Sequence, residues 1–272
     1  MQNSSVITVV FIGDVIGKPG RRILEKHLYQ VKLKYKPDMV IANGENSAGG
    51  LGITEKTGNE LFRAGVDVIT GGNHMWDKRE SYDFLSSNRY IVRPMNYPDQ
   101  VFGRGFCDFK IRDGLFVTVA NLQGRVFMEP VAENPFNFIE KWLKSVKSRI
   151  VILDFHAEAT AEKQAMGFFL DGKVSAVLGT HTHVPTADLR ILANGTAYQT
   201  DVGMTGSLDS VIGMKRKPVI DKFRTGINQR WEVAKKNVVS DMAIIKIDIS
   251  TGKALEVESL RLFEDKVNCL QV

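Results

Sequence analysis

The 272-residue sequence is poor in cysteine. Its two cysteines, Cys107 and Cys269, are far apart in the chain, and neither has a histidine nearby. Disulfide-stabilised small domains and cysteine-rich zinc modules need more cysteines at closer spacing, so both classes are excluded. We therefore expect a protein of the reducing cytoplasm.

The sequence also lacks a long hydrophobic run. The apolar segment near the N-terminus, Val6–Ile12, is short, has no basic region before it and stops at Gly13-Asp14. A membrane-spanning helix needs about 20 apolar residues, and a signal peptide begins with a basic region. We interpret this segment as a first β-strand and expect no membrane association.

Two common nucleotide-binding motifs are missing as well. The glycine-containing turn at residues 13–20 matches neither the Gly-x-Gly-x-x-Gly pattern nor the P-loop. A dinucleotide or nucleoside-triphosphate cradle is therefore not expected there.

The net charge of +5 is unevenly distributed. Residues 211–240 carry eight lysines and arginines against Asp221 and Glu232, so the rest of the chain is nearly neutral. A basic segment of this kind can contact RNA or another polyanion, but it can equally be an ordinary solvated surface. Both interpretations stay open.

Hydrophobic periodicity predicts the fold class. In the first half, predicted strands at 6–12, 38–42 and 66–70 alternate with predicted helices at 21–35 and 54–64, which favours parallel strands. A further short strand is predicted at 89–92.

Three hairpin signals follow: Asp113-Gly114, Asn194-Gly195 and Thr251-Gly252. They predict a second, more antiparallel sheet and a final hairpin that closes the chain. We expect one α/β domain over residues 1–272, with two packed mixed β-sheets flanked by helices (an α/β/β/α sandwich).

The most informative stretch is Gly179-Thr180-His181-Thr182-His183, which follows an apolar predicted strand. In an extended segment, residues i and i+2 point to the same side, so the two imidazoles could face one metal ion. Taken alone, the pair could equally be two histidines in a polar loop.

Other predicted strands end in the same way. The polar residues that follow five strands are Asp14, Glu45 with Asn46, Asn73 with His74, His156, and His181 with His183. In open α/β sheets, sites form outside the carboxyl ends of the strands. One such residue could be a turn or cap, but five strand ends together predict a metal site.

The donor set also suggests how many ions bind. Two carboxylates, two amides and three imidazoles exceed the needs of one four-coordinate zinc ion. They suit two ions that share a carboxylate and activate a bridging hydroxide for in-line attack at phosphorus.

These residues carry a family resemblance that covers residues 9 to 215 or so. The motifs, in chain order, are Gly13-Asp14-Val15-Ile16-Gly17, Gly44-Glu45-Asn46, Gly72-Asn73-His74-Met75-Trp76-Asp77, Arg93-Pro94-Met95-Asn96-Tyr97-Pro98, Gly179-Thr180-His181-Thr182-His183 and Thr200-Asp201-Val202-Gly203-Met204-Thr205-Gly206. The sequence resembles the calcineurin-like metallophosphoesterases, and more narrowly their bacterial YmdB-like branch.

The resemblance implies a role for each matching residue. The implied metal ligands are Asp14 and His183 for one ion, Asn73, His156 and His181 for the other, and Glu45 as the bridge. It implies that His74 protonates the leaving oxygen or stabilises the transition state.

The sequence departs from the wider superfamily at Asp14-Val15-Ile16, where Asp-x-His is usual. Asn46 is the expected replacement for the missing imidazole. An oxygen-richer site shifts the preference from zinc towards manganese or iron, although zinc stays open.

The implied activity is hydrolysis of phosphate esters, with cyclic nucleotides of the 2′,3′ type or related RNA ends as the favoured substrates. A phosphomonoesterase of the same mechanism stays open, as does an RNA- or nucleotide-binding regulator with marginal catalysis. A (β/α)8-barrel metal hydrolase fits poorly, because its His-x-His pair belongs to the first strand.

Two groups of residues could contact the substrate. Met75, Trp76 and Phe127 could stack on a base, or they could pack in the core or rim. Asn121, Gln123 and Arg125 could bind phosphate, or they could form a structural loop network. For neither group does the sequence alone decide between substrate contact and a structural role.

Overall fold

The computed structural model describes residues 5–264 together with the backbone of 266–271. Its strands form two sheets. The first contains β1 (Val6–Ile12), β2 (Asp14–Val15), β3 (Met39–Asn43), β4 (Val68–Thr70), β11 (Met204–Ser207), β12 (Val238–Asp248), β13 (Ala254–Phe263) and β14 (Lys266–Gln271). The second contains β5 (Phe106–Arg112), β6 (Leu115–Gln123), β7 (Ile150–His156), β8 (Ala176–Thr180), β9 (Arg190–Ile191) and β10 (Ala197–Gln199).

Helices cover the outer faces of both sheets. They are α1 (Gly17–Tyr35), α2 (Glu55–Ala64), α3 (Tyr82–Ser87), α4 (Pro135–Leu143), α5 (Thr160–Leu170) and α6 (Arg216–Thr225), with a 3₁₀ turn at Arg79–Ser81. Helix α1 begins four residues before the predicted start. Pro19 is tolerated in its first turn because backbone N–H groups there need no partner within the helix.

Side chains that alternate along β1 connect the first sheet to the second sheet on one face and to helices on the other. Along β1, Val9 and Phe11 point into a core shared by the two sheets, whereas Val10 and Ile12 pack on the side of α1 and α2. The shared core also takes Ile152 of β7 and other residues of the second sheet, and α4 and α5 pack on that sheet's outer face. The predicted fold class, two mixed sheets flanked by helices, is confirmed. The single-domain assignment stays a prediction.

The distribution of strand directions differs from the prediction. In the second sheet β6, β7, β8 and β10 run parallel and only the edge strands β5 and β9 are antiparallel. The C-terminal strand β12 instead pairs antiparallel with β1 in the first sheet. The expectation of a more antiparallel second sheet was wrong, because hairpin signals do not reveal which sheet a hairpin joins.

Two further expectations were wrong in detail. The final hairpin does not close the chain, since β14 pairs with β13 beyond it. Residues 89–92 form only isolated bridges, Ile69–Ile91 and Val92–Arg104, instead of a strand.

The parallel strands bring their carboxyl ends to one edge of each sheet. Strands β1, β3 and β4 end there in the first sheet, and β7 and β8 end there in the second. The loops after these five strands therefore meet where the sheets adjoin. Among the described residues, no helix is long and apolar enough to cross a membrane.

Candidate metal centre

The loops after β1, β3, β4, β7 and β8 bring together the residues predicted from the sequence. Asp14, Glu45 and His156 are fully buried, and Asn46 is nearly so. Asn73, His181 and His183 are partly buried at the mouth of the same cleft. All seven predicted metal ligands therefore lie in one place.

The two histidines of the His-x-His segment reach the centre by an unexpected backbone path. The sequence predicts an extended segment, but His181 and His183 both have left-handed backbones, with φ of +100° and +64°. The backbone N–H of His181 donates to Asp14 Oδ2 at 3.1 Å. The loop turns sharply after β8, and the turn, not strand alternation, aims both rings at the centre.

One half of the centre surrounds His156. Its Nε2 atom lies 3.1 Å from Glu45 Oε1, 3.1 Å from Asn73 Oδ1 and 3.1 Å from His181 Nδ1. The ligand atoms of Glu45, His156 and His181 all lie within 4.8 Å of one another. Such a cluster of acceptor atoms is the arrangement expected around a cation.

The other half surrounds Asn46. Its Nδ2 atom lies 3.5 Å from Asp14 Oδ1, 3.3 Å from Glu45 Oε1 and 3.3 Å from His183 Nε2. A half-turn of the side-chain amide would place its oxygen at the same position. Glu45 therefore contacts both halves of the centre.

Gly72 leaves room for these ligands. A Cβ atom at this position would lie 2.3 Å from His156 Nε2 and 2.4 Å from Glu45 Oε2. Any side chain here would fill the centre, which explains the need for glycine before Asn73.

Each of the three candidate ligand histidines turns one ring nitrogen towards the centre, and its other ring nitrogen contacts a neighbouring group. His156 Nδ1 lies 2.8 Å from the Thr180 hydroxyl, and His181 Nε2 lies 3.0 Å from Glu158. His183 Nδ1 lies 2.9 Å from the backbone oxygen of Ile212. Outer contacts of this kind fix the ring orientation of metal-ligating histidines.

The His156 contact continues into the core. Thr180 donates to Asp154 at 2.6 Å, and Asp154 also accepts hydrogen bonds from Thr70 and Asn43. Burial raises the pKa of Asp154 to about 7, although its hydroxyl donors and His156 oppose the shift.

Electrostatics couple the carboxylates to the imidazoles. Burial would raise the pKa values of Asp14 and Glu45, but the nearby charges of His183 and His156 outweigh it and hold both below their usual values. In turn, Asp14 raises the pKa of His183 to about 9 against the effect of burial. Burial and the neighbouring His156 lower the pKa of His181 to about 3, so this ring is neutral at pH 7.

This charge balance fits a metal centre. Against the effect of burial, Glu45 and Asp14 raise the pKa of His156, and Asp14 raises that of His183, so the buried carboxylates favour positive charge at the centre. A bound cation would supply that charge, because metal-ligating imidazoles are neutral. The oxygen, amide and imidazole donors suit manganese, iron or zinc.

The predicted acid–base residue lies beside the ligands. His74 donates its backbone N–H to Glu45 Oε2 at 2.9 Å, and its Nδ1 atom lies 2.8 Å from Asp77 Oδ2. Its Nε2 atom lies 3.4 Å from the Asn73 amide. The ring is only partly buried, so it can reach a substrate at the mouth of the centre.

The two groups of candidate substrate contacts differ in their exposure to solvent. Asn121 and Gln123 are fully buried; Asn121 donates to the Asp154 backbone, and Gln123 accepts from Tyr97. They form the structural network and do not face a substrate.

Among the aromatic candidates, Met75 is buried in the core, whereas Trp76 packs on Tyr97 with ring centroids 4.6 Å apart. Phe127 is 85% exposed, in the loop that leaves β6 next to His156.

Two mixed sheets between helical layers, with carboxylate, amide and imidazole groups at their adjoining strand ends, define a calcineurin-like metallophosphoesterase. Residues 10–260 match the model of the YmdB-like protein family, and the chain belongs to that family.

Two similar proteins of known name extend this result. A 2′,3′-cyclic-nucleotide 2′-phosphodiesterase of Bacillus subtilis is 45% identical over 94% of this chain and 97% of its own length. A putative phosphatase/phosphodiesterase of Mycoplasma pneumoniae is 38% identical over 97% of this chain and 95% of its own.

Solved structures show the same fold. A crystal structure of a hypothetical protein from Thermus thermophilus superimposes with a TM-score of 0.89 at 39% identity, covering 94% of this chain and 99% of that one. A crystal structure described as a novel phosphatase of Mycoplasma pneumoniae gives a TM-score of 0.91 at 37% identity, covering 95% and 94%.

Proposed function

We propose that the protein is a phosphodiesterase that hydrolyses 2′,3′-cyclic nucleotides, or the equivalent cyclic ends of RNA, with two bound metal ions. The observation that carries this proposal is the position of Glu45. Its carboxylate lies between the Asn73–His156–His181 group and the Asp14–Asn46–His183 group. This position supports a bridging role for Glu45, and the name of the Bacillus subtilis relative supplies the substrate class.

The donor set favours manganese or iron over zinc. Asp14, Glu45, Asn46 and Asn73 can supply four oxygen donors beside three imidazoles, and oxygen-rich sites prefer the harder ions. When bound, such a pair of ions supplies an activated water and neutralises negative charge at phosphorus.

A protein side chain is then needed to protonate the leaving oxygen. Hydrolysis forms a bond from a water oxygen to phosphorus and breaks the bond from phosphorus to one ribose oxygen, which must gain a proton. His74 is placed to donate it, since Asp77 holds its Nδ1 atom and leaves Nε2 turned to the centre.

Phe127 is the proposed contact for the base. Its exposed ring projects from the loop that follows β6, whose last residue, Gln123, pairs with His156 at the end of β7. Stacking a base on an aromatic ring contributes about 1–3 kcal/mol. Phe127→Ala should therefore raise KM for cyclic nucleotides by roughly 5- to 150-fold with little change in kcat.

The basic segment at 211–240 is the proposed contact for the rest of an RNA strand. It adjoins the centre directly, because Ile212 holds His183. Several of its cations are paired, including Lys215 with Glu232 and Lys217 with Asp221. RNA binding that weakens steeply with salt would support this contact, and a salt-independent affinity would contradict it.

A substrate panel with controlled metal content tests the proposed function. The metal-free protein should be inactive, and manganese or iron should restore turnover of 2′,3′-cyclic nucleotides above that of linear diesters and monoesters. A preference for monoesters would replace the proposal with phosphomonoesterase activity. RNA binding that persists without any turnover would favour a regulator.

A further inference from the structure

A buried ion pair lies directly behind the His-x-His loop. Lys163 of α5 is 1% exposed and Asp201, between β10 and β11, is fully buried. Lys163 Nζ donates to Asp201 Oδ2 at 2.7 Å. Neither side chain contacts the centre, so the chemistry proposed above leaves both without a role.

The pair holds the backbone on both sides of His181. Lys163 Nζ also donates to the backbone oxygen of Thr180 at 2.7 Å. The same Asp201 oxygen accepts the backbone N–H of Thr182 at 3.1 Å. Two hydrogen bonds from one ion pair thus bracket a single predicted metal ligand.

Asp201 is itself held firmly. Its other carboxylate oxygen accepts the backbone N–H of Gly203 at 2.9 Å, and its backbone exchanges hydrogen bonds with Thr186. The carboxylate therefore has a defined position from which to hold the loop.

The bracketed loop needs such support. His181 and His183 have φ values of +100° and +64°, a region that residues other than glycine rarely adopt. Conformations of this kind persist only where the surrounding structure enforces them, and they cluster at functional sites.

Stability is a poor explanation for the pair. Burying two charges costs desolvation, and apolar replacement of both partners is often neutral or stabilising. We propose that Lys163 and Asp201 are positioning residues that hold the loop backbone so that both imidazoles face the metal centre. This inference rests on the proposed metal-dependent function.

The test is metal affinity, measured without substrate. The double variant Lys163→Met with Asp201→Leu removes both charges and both loop contacts. It should fold, yet bind manganese about 10- to 100-fold more weakly than the wild type in calorimetric titration, as loss of ligand-orienting groups does elsewhere. Its kcat should fall more than its KM rises.

Two further variants separate positioning from folding. Met166→Ala, on the same helix, opens a cavity in the core and should lower Tm without changing metal affinity. Lys163→Gln with Asp201→Asn keeps polar groups at both positions without the charges. It should recover part of the affinity, and it replaces the first variant if that one does not fold.

The inference is overturned if the double variant, or the Gln–Asn variant in its place, binds manganese as tightly as the wild type. A wild-type protein that binds no metal would instead overturn the proposed function itself.

Discussion

The hydroxyl of Thr180 lies between Asp154, to which it donates at 2.6 Å, and the Nδ1 atom of His156, at 2.8 Å. All three side chains are fully buried. The hydroxyl can donate to the carboxylate and accept from the imidazole at once. In the proposed metal-bound form, His156 would then be the neutral tautomer whose Nε2 lone pair is available to a cation beside Glu45.

Thr180→Val tests this link. Valine has nearly the same shape but no hydroxyl, so His156 loses its orienting partner and metal affinity should fall about 10- to 100-fold. The matched control is Thr196→Val, which removes another buried hydroxyl at the opposite end of the second sheet. Equal metal affinity in the two variants, measured by titration, would contradict the link.

Gly72→Ala should block the centre sterically. The added methyl group would lie 2.3 Å from His156 Nε2 and 2.4 Å from Glu45 Oε2, so these groups must move apart. We expect loss of bound metal and of turnover. Gly49→Ala is the control: its φ of +73° makes alanine unfavourable, but no atom lies within 4 Å of the new Cβ. If Gly72→Ala keeps full metal content, the proposed geometry is incorrect.

His74→Ala should separate metal binding from chemistry. The metal content should stay at the wild-type level, while kcat falls about 10²- to 10⁴-fold through loss of a proton donor. Asp77→Asn should have a smaller effect, because it only weakens the orientation of the ring. An unchanged rate for His74→Ala on a substrate with a poor leaving group would count against the role.

The raised pKa of Tyr97 predicts that the folded protein loses stability at high pH. Burial raises its pKa to about 12 from the usual 10.0, although its hydrogen bond to Gln123 opposes the shift. The unfolded chain therefore releases this proton first. The contribution of the neutral phenol to the free energy of unfolding is complete below pH 10 and is lost between about pH 10 and 12. The free energy of unfolding falls by at most about 1.4 kcal/mol per pH unit in this range.

Urea unfolding of the wild type and of Tyr97→Phe between pH 9 and 12 measures that contribution. The difference between their unfolding free energies should shrink as the pH rises. A constant difference across this range would contradict the burial of a neutral Tyr97 phenol.

The strand-end pattern made the candidate centre predictable. Asp14, Glu45 and His156 each follow or end an apolar strand, and parallel strands necessarily bring such ends to one edge. The fold class followed from the same alternation of strands and helices. Local sequence also accounts for the start of α2, where Thr54 and Thr57 form a capping box.

The residues that support the ligands were harder to find. Asp154 can be noticed in the sequence in one way, as a lone acidic residue inside the otherwise apolar strand β7. Lys163 gives no such signal, because a lysine in a helix ordinarily lies in solvent and only the packing of α5 against β8 buries it. The left-handed turn at His181 was equally hidden, since it results from tertiary contacts and not from local preference.

The sharpest test of the account is the metal content of Glu45→Gln beside that of the wild type. We predict two ions per wild-type chain by elemental analysis, with turnover of 2′,3′-cyclic nucleotides that is lost on chelation. In Glu45→Gln we predict loss of the paired ions and of turnover together, because the shared carboxylate is gone. A Glu45→Gln protein that keeps two ions and full turnover would contradict the central role of this residue.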